Sequence, residues 1–156
     1  RLFDESHGRI YRLMVRMVGE QDAPDVTQQA YIQVYRKLGQ FSGRSRLNTW
    51  VYRLAVNEAL QHLRRRNRRT ISSLEHEPCD QHDSHERRTD LTEALDYALA
   101  SIDSELKTIF LLREVEELSY NTIAEVLDIP EGTVGSRLNR ARKELQNRLV
   151  QAGWSP

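Results

Sequence analysis

The sequence lacks most of the features that mark a secreted or membrane-spanning protein. Its 156 residues include a single cysteine, Cys79, so no disulfide bond can form within the chain. No apolar run approaches the ~18 residues needed to cross a bilayer, and no signal peptide is recognisable. Only 38% of the residues are hydrophobic, below the ~45–50% of an ordinary globular chain, so any hydrophobic cores are small. We expect a cytoplasmic protein without membrane insertion, and we expect further residues ahead of Arg1 because the sequence does not begin with methionine.

An excess of charge of either sign is also missing, because 23 Lys and Arg residues balance 23 Asp and Glu residues. The charges are nevertheless segregated. Residues 1–70 hold 14 basic and 6 acidic residues (+8), residues 71–100 hold 2 and 8 (−6), and residues 101–156 hold 7 and 9 (−2). Within the last segment, residues 132–149 carry 5 basic residues and 1 acidic residue (+4). Because a partner responds to local fields rather than to the net charge, two basic stretches around an acidic middle are compatible with nucleic-acid binding.

Apolar residues recur at helical spacing before the acidic middle, which predicts helices there. We predict a helix over residues 2–18, a second from Pro24 to about Leu38, and a third that ends in the arginine-rich run 64–69. Pro24 fits the first turn of a helix, and Asn48 or Thr49 could cap the third helix. The predicted inner faces are Phe3, Ile10, Leu13, Met14 and Met17 in the first helix, and Val26, Ala30, Val34 and Leu38 in the second.

Residues 70–89 lack periodicity and predict an acidic, flexible linker. A second helical unit follows, with apolar stripes at Leu91, Ala94, Leu95, Ala98, Leu99 and Ile102, then at Leu106, Ile109, Phe110 and Val115, then at Ile123, Ala124 and Leu127. Asp103 or Ser104, and then Ser119, are suited to cap its helices. A tight turn over 128–132 precedes a last helix from about Thr133 to Leu149. The predicted fold class is all-α, with small domains at 1–69 and 90–156.

Residues 119–146 have the pattern of a helix-turn-helix. The small Ala124 lets two helices approach, and Asp128 tolerates a left-handed turn conformation. At about 100° per residue, the last helix turns one side inward and the opposite side outward. The inner side carries Val134, Leu138, Ala141 and Leu145; the outer side carries Ser136, Asn139, Arg140 and Lys143, with Thr133 and Arg137 on the flank. Such a helix fits the major groove, where Arg, Asn and Ser contact base edges or phosphates. A merely solvated basic helix is the alternative.

In their order along the chain, these segments resemble a known family. The stretches 22–31 and 41–57 and the arginine-rich run resemble region 2 of bacterial RNA polymerase sigma factors. Residues 91–149 resemble region 4, and nothing between them is long enough for region 3. This architecture is similar to that of the extracytoplasmic-function (group IV) class. The linker supports it, because about 20 residues reach ~66–70 Å when extended, which matches roughly 20 base pairs at ~3.4 Å each. We also hypothesise that its acidity suits a channel built for nucleic acid.

The resemblance implies what the protein does. It implies a non-enzymatic protein, without cofactor or metal, that binds core RNA polymerase, melts the minus-ten promoter element and binds the minus-thirty-five element. The implied partners are core polymerase, promoter DNA and an anti-sigma factor, and we expect a monomer when these are absent. Two positions depart from the family pattern: Gln29, where an acidic residue is usual, and Gly135, where Lys is frequent.

The resemblance also assigns residues to each interface. It assigns polymerase binding to one face of the second helix: Asp25, Gln28, Gln29, Ile32 and Arg36. It assigns binding of minus-ten DNA to the loop and the third helix: Arg44, Arg46, Asn48, Asn57, Gln61, Arg64 and Arg65. The final helix corresponds to the reader of the upstream element, through Thr133, Ser136, Arg137, Asn139, Arg140 and Lys143.

Several alternatives stay open. Trp50 and Tyr52 could stack on bases or belong to the core, and the acidic residues Glu114, Glu116 and Glu117 could be solvated or touch polymerase. The spacing of His76, Cys79, His82 and His85 fits no familiar zinc motif. Rival functions are a free-standing helix-turn-helix regulator, a sigma-like protein that binds polymerase without initiating, and a metal-dependent hydrolase, for which no catalytic motif is present.

Overall fold

The structure, a computed structural model, describes residues 2–72 and 90–154. Within these ranges the chain is helical and contains no strand, which confirms the predicted all-α class. The helices are α1 (Leu2–Val18), α2 (Ala23–Lys37), a 3-10 turn (Leu38–Gln40), α3 (Leu47–Ser72), α4 (Asp90–Ala100), α5 (Ser104–Glu114), α6 (Tyr120–Leu127) and α7 (Glu131–Gln151). No helix in the described ranges has the length and apolarity required to cross a membrane.

Helices α1, α2 and α3 pack against one another as a bundle. Ile10, Leu13 and Met14 of α1 are fully buried, together with Ala30 of α2 and Val56 of α3. Fully burying a Val, Leu, Ile or Met side chain contributes about 1.5–3 kcal/mol, so the burial of these four larger side chains stabilises the bundle. The periodicity therefore located the inner faces of α1 and α2, although the side chain of Phe3 lies outside what the structure describes.

Three boundary predictions in this half differ from the structure. Leu38 is not part of the inner stripe of α2: it is 47% exposed, because α2 ends at Lys37 and the chain tightens into the 3-10 turn Leu38–Gln40, which contains Gly39, a poor helix former. Neither Asn48 nor Thr49 caps α3, which already begins at Leu47. Helix α3 continues through the arginine run to Ser72, since arginine is a good helix former. The remainder of the predicted linker, with the His and Cys cluster, lies outside the described residues.

Helices α4 to α7 form a second bundle whose turns follow the local sequence signals. Asp103 caps α5 by accepting a hydrogen bond from the Glu105 backbone N–H at 2.9 Å. Ser119 caps α6 through the Thr122 N–H at 3.1 Å. Asp128 ends α6 in the left-handed conformation, with a φ of 54°. Helix α7 begins at Glu131 rather than Thr133, because Pro130 occupies the N-cap and its fixed φ suits a helix start.

The second core combines apolar residues of all four helices. Its fully buried side chains include Ile109, Leu112, Ile123, Val134 and Leu138. Two residues of the predicted stripes lie outside it. Leu91, at the start of α4, is 51% exposed, and Val115, which follows the end of α5, is 37% exposed.

The two bundles touch. Helix α3 of the first bundle packs against α5 and α6 of the second, and α1 also contacts α5. The arginine-bearing helix of the first bundle therefore lies against the helix-turn-helix unit.

Candidate nucleic-acid and partner interfaces

Helix α7 separates an apolar side from a polar side as its spacing predicts. Val134, Leu138 and Ala141 are fully buried, and Leu145 is 3% exposed. The polar residues predicted to face outward are exposed, and the two flank residues are half-buried: Ser136, Asn139, Arg140 and Lys143, then Thr133 and Arg137. The structure thus brings all six candidate upstream-element residues onto one accessible side of a single helix, which is the arrangement that a major-groove reader requires.

Ion pairs hold several arginines of this helix in place. The Arg140 Nε lies 2.9 Å from a Glu144 carboxylate oxygen one turn away, and the Arg137 guanidinium lies 3.4 Å from Glu105. Exposed pairs of this kind contribute only about 0.2–1 kcal/mol. A DNA phosphate can therefore replace either carboxylate at small cost.

Polar contacts of Arg113 and Arg142 link the helices of the second bundle, and the sequence did not indicate these pairings. The Arg113 guanidinium stacks over the Tyr120 ring, 5.3 Å from its centroid, and donates a hydrogen bond to the Leu118 carbonyl at 2.9 Å. Arg142 binds Glu114 and so ties α7 to α5. Gly135 faces the same tyrosine: a Cβ there would lie 3.7 Å from a Tyr120 ring carbon. This is ordinary van der Waals contact, so space does not require glycine at the position where the family often has lysine.

The loop over residues 41–46 and the start of α3 form a small cavity. Gly43 turns the loop with a φ of +73°, a conformation that favours glycine. The cavity encloses about 460 Å³, and its lining includes Arg44, Thr49, Trp50 and Arg53 together with Glu125 and Asp128 of α6. Trp50 is half-buried and its ring lies 5.2 Å from that of Phe41. The tryptophan is thus both part of the packing and part of the cavity wall.

All seven candidate minus-ten residues are exposed: Arg44, Arg46, Asn48, Asn57, Gln61, Arg64 and Arg65. Only Arg44 lines the cavity, and the last four continue along one side of α3. Arg64 lies 3.4 Å from Glu105 of the second bundle, and Arg65 lies 3.0 Å from Glu58 of its own helix. The loop and α3 thus expose arginines at both ends of the helix, separated by the neutral Asn57 and Gln61, with the cavity at the end nearer the loop.

A groove of about 710 Å³ lies between α1 and α2. Three of the five candidate polymerase-binding residues line it, Gln28, Ile32 and Arg36, whereas Asp25 and Gln29 are exposed outside its lining. Its walls are largely aromatic. Sequence reasoning missed the aromatic residues His7, Tyr11, Tyr31 and Tyr35, although the spacing of Gln28, Tyr31, Ile32 and Tyr35 on one helix face could have indicated them.

The groove combines exposed and buried groups in an unusual way. Tyr35 is 83% exposed, although it is a large aromatic side chain. Thr27, which also lines the groove, is 3% exposed, and within the described part of the chain its hydroxyl oxygen has no hydrogen-bond partner. Burial raises the pKa of Tyr31, while the hydrogen bond with Ser6 at 2.9 Å works against that shift. An unsatisfied hydroxyl under an apolar surface suits a partner that brings a polar group.

A partly exposed electrostatic cluster joins the start of α2 to α3. The Asp22 carboxylate lies 2.8 Å from His62 Nε2 and 3.4 Å from the Arg66 guanidinium. The hydrogen bond from His62 holds the pKa of Asp22 below its usual value, partial burial opposes the shift, and the charges of His62 and Arg66 reinforce it. Asp22 occupies the N-cap of α2 without capping it. Its carboxylate instead links the start of α2 to His62 and Arg66 of α3.

A second cluster, which is buried, joins the two bundles. The Tyr52 hydroxyl donates a hydrogen bond to Glu116 at 2.5 Å, and the Arg9 Nε lies 3.6 Å from the same carboxylate. Burial, followed by the hydrogen bond and charge of Glu116, raises the pKa of Tyr52 well above its usual value. Of the two alternatives left open for Tyr52, the structure therefore confirms the core position, and the ring is not a base-stacking surface residue. Glu116 is not solvated either, since it is only 7% exposed.

Comparison with known proteins matches both halves of the chain. Residues 2–69 match the family Sigma-70 region 2, and residues 92–145 match the family Sigma-70, region 4. The chain is 35% identical over 161 residues to the ECF RNA polymerase sigma-E factor of Haemophilus influenzae, covering 95% of this chain and 85% of that relative. It is 39% identical over 155 residues to the RNA polymerase sigma-H factor of Pseudomonas aeruginosa, covering 90% and 80%.

Two solved structures share the fold. The sigma factor RpoE of Bartonella quintana, determined in complex with the anti-sigma factor NepR, matches with a TM-score of 0.74 at 23% identity, over 92% of this chain and 91% of that one. The protein CnrH, determined in complex with the cytosolic domain of CnrY, matches with a TM-score of 0.67 at 19% identity, over 97% and 86%.

A helical bundle matched by region 2, followed by a helix-turn-helix bundle matched by region 4, defines a sigma-70-type transcription initiation factor. The chain belongs to the ECF family of RNA polymerase sigma factors. It acts in promoter-specific transcription initiation, and the free-standing regulator is not favoured because region 2 occupies the N-terminal half. The sigma factors that it resembles are non-catalytic and act with RNA polymerase in the cytoplasm.

Proposed function

We propose that this chain divides promoter recognition between a domain at 1–69 and a domain at 90–156, joined by the acidic linker 70–89. The first docks on core polymerase and opens the minus-ten element, and the second binds the minus-thirty-five element. The observation that carries the proposal is the two-sided helix α7, with its fully buried Val134 and Leu138 and its polar outer face. As a cytoplasmic monomer without cofactor, the protein supplies recognition and leaves catalysis to polymerase.

The outer face of α7 is suited to the upstream duplex. Arg140 and Asn139 have the donors and acceptors for base edges, and Lys143 and Arg137 can neutralise phosphates. One good bidentate base contact contributes about 1–3 kcal/mol of discrimination. We therefore expect the affinity for this element to depend on Arg140 and to fall with salt.

The cavity beside Arg44 is suited to one base of the opened minus-ten element. The first bundle supplies Arg44, Trp50 and Arg53 to its wall, and these residues remain in place when the second domain lies on the minus-thirty-five element. Extruding a base costs a few kcal/mol, and stacking on an aromatic ring such as that of Trp50 offsets about 1–3 kcal/mol of it. The arginines along α3 then follow the backbone of the duplex upstream of the opening.

The groove between α1 and α2 is suited to a helical element of core polymerase. A helix that lays an apolar face into a groove is a common recognition mode, and the groove offers Ile32, Tyr31 and Tyr35 for such a face. Gln28 and Arg36 supply polar contacts at its rim, and a donor from the partner can satisfy the Thr27 hydroxyl. Gln29 is neutral where the family usually has an acidic residue. It lies outside the groove, so the missing charge should weaken the docking of polymerase only a little.

An anti-sigma factor is the third proposed partner. Two of the solved structures that share the fold are complexes, one with the anti-sigma factor NepR and one with the cytosolic domain of CnrY. In this chain, the groove is the exposed apolar surface on which an inhibitor would compete with polymerase. We expect such an inhibitor to block core binding rather than DNA binding alone.

Transcription by purified core polymerase on a genomic promoter library, with and without the protein, tests the function. We expect new start sites that share two spaced upstream elements. Absence of new start sites with polymerase binding intact would instead establish a sigma-like protein that does not initiate. If neither new start sites nor polymerase binding is observed, the protein would instead be a free-standing helix-turn-helix regulator. A variant with Gln28 and Arg36 replaced by Ala serves as the matched control, because it should lose core binding while keeping α7 intact.

A further inference from the structure

The groove between α1 and α2 has the size and shape of a small-molecule site. Its volume of about 710 Å³ lies within the ~300–1,000 Å³ range of ligand pockets. On the α2 side its lining extends from Pro24 to Arg36, a distance of about 18 Å along the helix. The groove is therefore long enough for an elongated molecule with different groups at its two ends.

Aromatic rings form much of the groove wall. The His7 ring is stacked on that of Tyr11, with centroids 6.3 Å apart and an interplanar angle of 9°, and its centroid lies 5.6 Å from that of the Tyr31 ring. Tyr35, which also lines the groove, is 83% exposed. Aromatic pairs prefer offset-stacked or edge-to-face arrangements with centroids about 4.5–7 Å apart. A further aromatic ring is thus the group that these walls are best suited to receive.

The Thr27 hydroxyl supplies a polar position at one end of the groove. A threonine within a helix can donate a hydrogen bond to a carbonyl three or four residues earlier. The Thr27 side chain is only 3% exposed, yet its Oγ1 has no hydrogen-bond partner among the residues that the structure describes. A buried hydroxyl without a partner is destabilising. A ligand hydroxyl or carbonyl that reached Oγ1 would remove this cost.

Arg36 supplies a positive charge at the other end of the groove. It follows Thr27 by nine residues on the same helix, so the two backbones are about 14 Å apart along α2. None of the described residues that line the groove is acidic, so the guanidinium has no carboxylate beside it there. Arginine pairs with carboxylates through two parallel hydrogen bonds. The end of the groove at Arg36 therefore suits a ligand carboxylate.

We propose that the groove binds an aromatic carboxylate: its rings lie against the tyrosines, its carboxylate binds Arg36, and a polar group at its other end bonds to Thr27 Oγ1. An aliphatic acid would lose the ring contacts, and a cationic ligand would be repelled by Arg36. The ligand would occupy the surface proposed above for core polymerase and so compete with it. Only this competition rests on the proposed function.

Calorimetric titration of the full chain with three matched probes tests the ligand class. The first probe is a biphenyl with a hydroxyl at one end and a carboxylate at the other. The second probe lacks the hydroxyl, and the third lacks the carboxylate. We expect the first probe to bind at one site with a Kd on the order of 0.1 mM, and we expect each of the others to bind more weakly.

Two variants assign the ends of the ligand to the ends of the groove. Arg36→Ala should lower the affinity for the first probe about tenfold and leave the affinity for the probe without a carboxylate unchanged. Thr27→Val keeps the side-chain shape and removes a hydroxyl that has no partner, so folding should be retained. It should weaken binding of the first probe several-fold and leave the probe without a hydroxyl unaffected. Lys37→Ala is the control, since Lys37 is exposed at the end of α2 outside the groove lining.

Either of two results overturns the proposal. One is the absence of saturable binding of the first probe at about 1 mM. The other is an affinity for that probe that Arg36→Ala and Thr27→Val leave as unchanged as Lys37→Ala does. Competition is measured separately, with labelled core polymerase and increasing first probe. Loss of core binding would support both proposals for the groove. Binding of the probe with no change in core affinity would support the ligand site and contradict the docking of polymerase there.

Discussion

Single side chains at the bundle surfaces decide both stability and recognition. Asp22 shows how a residue at a helix start can be used for a longer-range purpose, since its carboxylate binds His62 and Arg66 of α3 rather than the N–H groups of α2. Arg140 shows the converse, because its ion pair with Glu144 stays on its own helix and leaves the side chain 70% exposed. The first residue is expected to affect folding and the second to affect DNA binding.

Asp22→Asn should lower stability in a pH-dependent way. The pKa of Asp22 is lowered from 3.8 in the folded chain, so its ionised form stabilises the fold above that pH. The stabilisation is lost as pH falls below 3.8 and through the folded-state pKa. We expect a loss of about 1 kcal/mol at pH 7, measured by urea unfolding, and a smaller difference from wild type near pH 3. A difference that grew on acidification would contradict the assignment.

Arg140→Ala should weaken binding of the upstream-element duplex. If the guanidinium contacts a base, the loss is about 1–3 kcal/mol and specificity relaxes at one position. Equilibrium binding to matched and single-base-changed duplexes measures both effects. Arg148→Ala, in the last turn of α7, is the control for loss of a positive charge alone. Equal affinity of the Arg140 variant and the wild type would remove Arg140 from the recognition surface.

At the scale of helices, local signals were predictable and distant pairings were not. Ser119 and Asp128 could be identified because capping and left-handed turns depend on the residue type and its immediate neighbours. The inner face of α7 followed from helical geometry alone. Asn48 was a misleading signal, since the chain enters α3 one residue before it. Tyr52 and Glu116 form a hydrogen bond although they are 64 residues apart. The helical spacing of apolar residues gives no indication of such a long-range contact.

The groove between α1 and α2 should carry most of the affinity for core polymerase. Replacing Gln28 and Arg36 by Ala removes polar contacts from its rim and should reduce core binding without affecting DNA binding by the second bundle. Binding to labelled core polymerase measures the first effect, and binding to the upstream duplex measures the second. Asp25→Ala tests whether the docking surface extends beyond the groove, because Asp25 is exposed outside the groove lining. Undiminished core affinity in the double variant would relocate the docking surface.

The molecule as a whole combines two small cores with a polar contact between them. Each core contains only a few large buried side chains, such as Leu13 and Met14 in one and Ile109 and Leu138 in the other. Small cores give marginal stability, so the contact between bundles matters for the behaviour of the whole chain. The family resemblance identified both bundles and their order, but the sequence provided no means to see that they lie together.

Heating should reveal whether the bundles unfold together. In the wild-type chain we expect a single calorimetric transition with equal calorimetric and van't Hoff enthalpies, because the contact couples the two bundles. Tyr52→Phe should uncouple them, so that the transition broadens or splits and the van't Hoff enthalpy falls below the calorimetric value. Tyr97→Phe, a change on an exposed side chain of α4, should keep the wild-type profile. Two separate transitions in the wild-type chain would show that the contact contributes little.

Helix α3 is one continuous helix and therefore fixes the distance between the cavity and the arginine run. Within this 26-residue helix, the 14 residues from Trp50 to Arg64 correspond to about 21 Å at 1.5 Å each, a length equal to about 6 base pairs of duplex. One end is joined to the base-sized cavity, and the other carries the arginine run. Under the proposed function, one helix therefore fixes the distance between the edge of the melted region and the contacts with intact duplex upstream of it. Inserting a single residue between the cavity and the arginine run would rotate the arginines by about 100°, and we expect this to turn them away from the DNA backbone.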